Sequence, residues 1–199
     1  MGSAVEIAPG LHRWTGWHEE WREDVGSVAV ETDDGRIFID PLAAPADLGT
    51  PDHVLLTVYW HGRGAAAAGA ARVWAPTRSA GPLRHREIPV TDAFREGDHL
   101  PGGIQAIQTP RTAEVVYWLP DHKAVVVGDV LLGAGAKPNA TTERLRLCPE
   151  RWLGVATHDD LREALSPLLE LAVESVLVSH GEPVVTGGGR ALAAALAYP

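Results

Sequence analysis

Apolar and polar positions change their period along the chain. In the first third they alternate or run in short blocks. Residues 11–14 follow a Pro9-Gly10 turn, and residues 26–32 (GSVAVET) and 36–40 (RIFID) flank the turn Asp33-Asp34-Gly35. β-Branched alternation across an Asp-Gly turn predicts an antiparallel hairpin, which Pro41 ends. The polar, Trp-bearing stretch 15–25 (TGWHEEWREDV) reads as a surface loop. Residues 53–57 predict a short buried strand and 73–75 another. Between them, 63–71 (RGAAAAGAA) predicts a helix weakened by Gly64 and Gly69. Further strands are expected at 86–90, 104–108, 114–119 and 124–127. Then the period lengthens. Thr157-His158-Asp159-Asp160 supplies a cap and first-turn acids, and Leu161, Leu165, Leu168, Leu169 and Ala172 form one helical face. Residues 175–179 (SVLVS) predict a buried strand and 187–197 a last Ala/Leu helix. With no internal repeat or linker, residues 1–199 read as a single layered α/β domain with mixed sheets.

Composition narrows the function classes. The formal net charge is −9. That argues against nucleic acid as a partner, which needs a basic stripe. Positive charge is nearly all Arg, with Lys only at 123 and 137. The one cysteine, Cys148, allows no intrachain disulfide, which fits a reducing compartment. It lacks a Cys-His context and is not expected to be catalytic. The opening residues have no basic region before an apolar core, and no run approaches the length of a membrane span. Met1-Gly2 opens like an acylation site, but Glu6 stands where Ser or Thr is needed. A cytoplasmic protein without membrane contact is expected.

Four landmarks occur in order: RIFIDPL (36–42), HVLLTVYWHGRGAAAAGA (53–70), TPRTAEVVYWLPDHKAVVVGDVLL (109–132) and VLVSHGEPV (176–184). This series resembles the metallo-β-lactamase fold superfamily over nearly the whole chain. The resemblance implies a four-layer αβ/βα sandwich, with a dinuclear metal site along one edge of the sheets. Its central motif is His-x-His-x-Asp-His after a strand ending in Thr. With Thr57 aligned to that Thr, the four ligand positions fall on Val58, Trp60, Gly62 and Arg63, none an ordinary ligand. His61 falls on a spacer position, so its side chain is expected to point elsewhere. The third landmark's ligand position falls near Arg111 or Thr112. Only Asp129, after Gly128, and His180, before Gly181, keep the family's ligands.

Two ligands are too few for a catalytic zinc. The resemblance therefore implies a degenerate site, with no metal cofactor as the first expectation and zinc or another divalent ion as the alternative. The expected pocket is lined by Trp60, His61, Arg63, Arg111, Thr112, Glu114, Asp129 and His180. Arg63 and Arg111 offer guanidinium charge to replace a metal or to bind an anion. Glu114 and His61 are substitute ligands, or else a solvated strand residue and a structural histidine. Trp14, Trp17 and Trp21 are placed near the rim, to cover the pocket or form a dimer patch. Two functions follow. One is a non-catalytic small-molecule binder or scaffold, in which a homodimer is one arrangement. The other is a divergent hydrolase of esters, lactones or thioesters, with one ion on Asp129, His180 and either His61 or Glu114.

Overall fold

Most of the apolar strands have no polar face to give to water, so both sides of each sheet must be covered. The computed structural model describes residues 3–198; Met1-Gly2, with its acylation-like opening, and Pro199 lie outside the described residues. The first sheet takes strands in chain order: β1 (Val5–Ala8), β2 (Leu11–His18), β3 (Glu23–Thr32), β4 (Gly35–Ile39), β5 (His53–Leu55), β6 (Arg72–Pro76) and β7 (Asp92–Phe94). It is antiparallel as far as β4 and parallel from there on. The second sheet comprises β8 (Gln105–Gln108), β9 (Val115–Leu119) and β10 (Ala124–Val127). After a small ribbon of β11 (Leu131–Gly133) and β12 (Leu145–Leu147), β13 (Ser175–Val178) returns parallel to β10. Helices α1 (Thr77–His85), α2 (His158–Leu165) and α3 (Gly188–Leu196) complete the chain.

The period-2 geometry of strands sorts the apolar residues into three layers. Val28, Val30, Ile37, Ile39 and Leu55 of the first sheet face Val115, Tyr117, Leu119, Val126 and Leu177 of the second, forming the core between the sheets. Their neighbours point the other way. Ala29, Phe38, Val54 and Leu56 pack with Leu83 of α1. Val116, Trp118, Val125, Val127, Val176 and Val178 pack with Leu161 and Leu165 of α2 and Leu192 of α3. The result is the expected four-layer sandwich.

Several local expectations are corrected. The stretch 15–25 is not a loop: β2 and β3 pair residue by residue from Leu11↔Val30 to His18↔Glu23, leaving only a tight turn between them. The backbone ladder carries this ribbon, so it needs no apolar alternation. Trp14 is not at the rim; it is buried edge-on against Phe38, with ring centroids 5.2 Å apart. The helix expected at 63–71 is replaced by turns. A Cβ on Gly64 would lie 2.1 Å from the Pro41 carbonyl oxygen, and Gly69 has φ +70°. These glycines therefore do more than weaken a helix; they allow a close approach and a left-handed turn. The strand expected at 86–90 is instead the exit of α1, where Ile88 N–H donates to the Leu83 carbonyl and Glu87 has φ +61°. Thr157 caps α2 through the Asp160 N–H. Pro167 then breaks the α pattern, so Leu169 and Ala172 leave the apolar face and are exposed. Among the described residues, no helix is long and apolar enough to cross a membrane.

Truncating Leu177, buried in the middle of the core between the sheets, is expected to cost about 2–5 kcal/mol. Urea unfolding of Leu177→Ala checks this. The midpoint should fall at constant slope, and a loss below about 1 kcal/mol would contradict the packing described.

Candidate functional site

The site forms where β4, β5, β10 and β13 end. Asp40 follows Ile39 in a left-handed conformation, φ +47°, which an Asp tolerates better than most residues. It is locked there. Its N–H donates to the Leu55 carbonyl, and its carboxylate accepts the Thr57 N–H at 2.8 Å and the Thr57 hydroxyl. Beyond Thr57 the chain winds into a 3-10 turn, Tyr59–Gly64. That turn decides the position of His61. In extended chain a spacer residue would point away from the ligand positions. Here the turn swings His61 inward, and it is 1% exposed.

His61 bridges two buried carboxylates. Its Nδ1 lies 2.7 Å from Asp40 Oδ2 and its Nε2 3.0 Å from Asp129 Oδ1. Burial opposes the imidazolium, but Asp129 and then Asp40 outweigh it and raise the pKa to about 10. His180, just after β13, repeats the arrangement. Its Nδ1 meets Glu23 Oε1 at 2.5 Å and its Nε2 meets the same Asp129 oxygen at 3.2 Å. Burial opposes its charge too, yet hydrogen bonds to Asp129 and Glu23 raise its pKa.

Asp129 follows Gly128 at the end of β10. Burial pushes its pKa up, but His61 and His180 hold it well below the usual carboxylate range. Its second oxygen accepts the Trp60 indole N–H at 2.6 Å and lies 3.8 Å from the Arg111 guanidinium. Glu114, fully buried, fixes the loop from behind. It accepts the N–H groups of Asp129 (2.6 Å) and Val130 (3.1 Å) and pairs with Arg111 at 3.1 Å. Burial and Asp129 push its pKa up to about 7, against the pull of Arg111. A Cβ on Gly128 would lie 2.7 Å from both Glu114 Oε1 and Thr57 Oγ1, so only glycine fits between them.

Of the residues singled out in the sequence, Trp60, His61, Arg63, Arg111, Asp129 and His180 line one cleft of about 530 Å³. Glu114 sits behind its floor. Thr112 does not join them; it is exposed beside a different depression with Pro76 and Phe94. Trp21 covers the His180 side, 5.3 Å from that ring, while Trp17 is 56% exposed. Cys148 is buried, and burial pushes its thiol up to about 12, so it is no nucleophile at neutral pH. Sequence reasoning missed Asp40, Glu23, Tyr59, Arg86 and Trp152. Asp40 closes the RIFID landmark and was within reach; Glu23 lay in a stretch that read as loop.

One donor atom from each of His61, Asp129 and His180 lies within 4.8 Å of the other two, making a candidate metal centre. The spacings of 3.0 and 3.2 Å suit hydrogen bonds. They equally suit ligands sharing one ion at bonds of about 2.0–2.1 Å. The chemistry of the donor set, two imidazole nitrogens and one carboxylate oxygen, fits a divalent cation.

No family model and no curated protein sequence matches the chain. Solved structures do match. A metallo-β-lactamase from Hirschia baltica superposes with a TM-score of 0.68 at 13% identity, over 98% of this chain and 95% of the other. One from Erythrobacter litoralis gives 0.69 at 15% identity, over 97% and 93%. FIM-1 from Pseudomonas aeruginosa, a metallo-β-lactamase solved in a mono-zinc form, gives 0.65 at 16% identity, over 96% and 91%. The chain has the metallo-β-lactamase fold. What this fold carries here depends on the site and not on the likeness.

The buried charges set a pH dependence for chelator-treated protein. His61 has a folded pKa raised from 6.5 to about 10. Its stabilisation is complete below the lower value and lost as pH rises through the upper one. Glu114, raised from 4.5 to about 7, has the same sign. Asp129, depressed below 3.8, stabilises above that value and is lost in acid. The melting temperature should therefore fall on the alkaline side, and His61→Gln should lower and flatten that limb. An unchanged alkaline limb in the variant would contradict the assignment.

Proposed function

We propose that this protein is a single-metal hydrolase built on the metallo-β-lactamase fold, with His61, Asp129 and His180 holding one divalent cation. The observation that carries this is the convergence of two imidazoles on one oxygen of Asp129, each anchored through Nδ1 by its own carboxylate, the buried Asp40 or the partly buried Glu23. Carboxylate-backed histidines are the usual support of metal-binding imidazoles, because the backing fixes the tautomer and raises ligand basicity. Two histidines and one carboxylate leave open positions on the side of the cleft. When bound there, such an ion supplies Lewis acidity and a more acidic water, the chemistry needed to cleave an ester, lactone or thioester.

The chain's own residues do the rest. Asp40 and Glu23 keep each Nε2 aimed inward. Glu114 holds the Asp129 loop through two backbone N–H groups. Trp60 donates to the second oxygen of Asp129 and Arg111 stands 3.8 Å from it, so we infer that the dinuclear centre of the fold has been reduced to one position. FIM-1 in its mono-zinc form is a precedent for one zinc on this fold.

A second reading is a binding protein without metal. It is favoured by the near-saturation of Asp129: His61, His180 and Trp60 all donate to it, with Arg111 close by.

Two experiments separate the readings. Zinc-reconstituted protein should hydrolyse members of an ester, lactone and thioester panel, and Asp129→Asn should abolish that activity. Full zinc-dependent turnover in Asp129→Asn would sink the hydrolase. In addition, Glu23→Gln should weaken zinc binding by about 10–100-fold, measured by competition with a zinc indicator. An unchanged affinity would mean that His180 is not a ligand.

A further inference from the structure

The cleft above the three donors gathers three guanidinium groups, with Glu20 the exposed acid among its lining residues. Arg63 and Arg86 both line it and both are exposed. Among the described residues neither has a carboxylate within ion-pair distance. Arg111, a third guanidinium in the same concavity, is already committed to Glu114. In a chain of net charge −9, gathering arginines around one concavity raises local self-repulsion, which a bound anion would relieve. The planar fork of arginine matches a carboxylate or a phosphate.

The walls say more about the body of that anion. The Arg86 guanidinium lies over the Tyr59 ring, 5.1 Å from its centroid, and Arg111 lies over Trp60 at 4.4 Å. Tyr59 and Trp60 meet edge to face at 4.6 Å. On the His180 side, Trp21 and Trp152 make a second edge-to-face pair at 5.2 Å. A volume of about 530 Å³ is of the size that takes a small organic molecule. Rings on both sides favour a flat, unsaturated body over a compact inorganic ion.

We propose that the substrate is a flat organic carboxylate, its anionic group held by Arg63 and Arg86 and its unsaturated body lying between Tyr59–Trp60 and Trp21–Trp152. This names the substrate class of the hydrolase proposed above and rests on that reading for catalysis. The anion subsite itself uses none of the three metal donors.

The test is calorimetric titration of both chelator-treated and zinc-loaded protein with three probes: 2-naphthoate, the neutral 2-naphthamide and inorganic phosphate. Naphthoate should bind one per chain, at least about tenfold more tightly than either of the others, and more weakly at high salt. Arg63→Gln and Arg86→Gln should each weaken naphthoate by about tenfold. Both side chains are exposed, so an unchanged melting temperature should show that the variants fold. Equal affinity for the amide would overturn the anion subsite. Tighter binding of phosphate would overturn the flat body, and unchanged binding in both variants would overturn the arginine assignment. Selective naphthoate binding by protein that takes up no zinc would sink the hydrolase and leave the flat-carboxylate subsite standing as a binding site. Zinc uptake without selectivity for naphthoate would do the reverse.

Discussion

A carboxylate buried away from water must be matched by charge, and Asp129 organises this molecule around that requirement. Left alone, its desolvation would cost several kcal/mol or force it to take a proton. Instead, two imidazoles and an indole donate to it. Each imidazole brings its own acid, Asp40 or Glu23, and Glu114 adds a fourth carboxylate, tied to Arg111 and to the loop backbone. Removing any one member leaves another buried charge without its partner. The same network therefore stabilises the fold and defines the site, and under the proposed function its protons give way to a cation.

The sandwich makes this network accessible. Asp40, Thr57, Asp129 and His180 all stand just beyond strand ends, after β4, β5, β10 and β13. Strands packed on both faces leave little freedom for the residues that follow them, so the donors are positioned to within hydrogen-bond distances. The rim differs in kind. Trp21 belongs to the β2–β3 turn, and Arg63 and Arg86 to turns near α1, where exposure and backbone irregularity leave room for adjustment to a ligand.

The sandwich was legible in the sequence because unbroken apolar strands can be satisfied only when both faces are covered, and because four landmarks fall in the expected order. Asp129 and His180 were legible for the same reason. His61 was not. Its inward direction depends on a 3-10 turn in place of extended chain, and neither Gly62 nor Gly64 announces that geometry without its contact partner, Leu83 for the first and Pro41 for the second. Glu23 was hidden because a polar ribbon held by backbone pairing looks like a loop. Thr112 was misplaced because strand counting cannot settle which way a loop residue faces.

The central claim is that His61, Asp129 and His180 hold one divalent ion. Elemental mass spectrometry on protein purified without chelator, then offered zinc, iron and manganese and freed of excess, tests it most directly. The account predicts close to one ion per chain, lost in His61→Phe. A value near zero in the intact chain, or one ion retained by the variant, would contradict it.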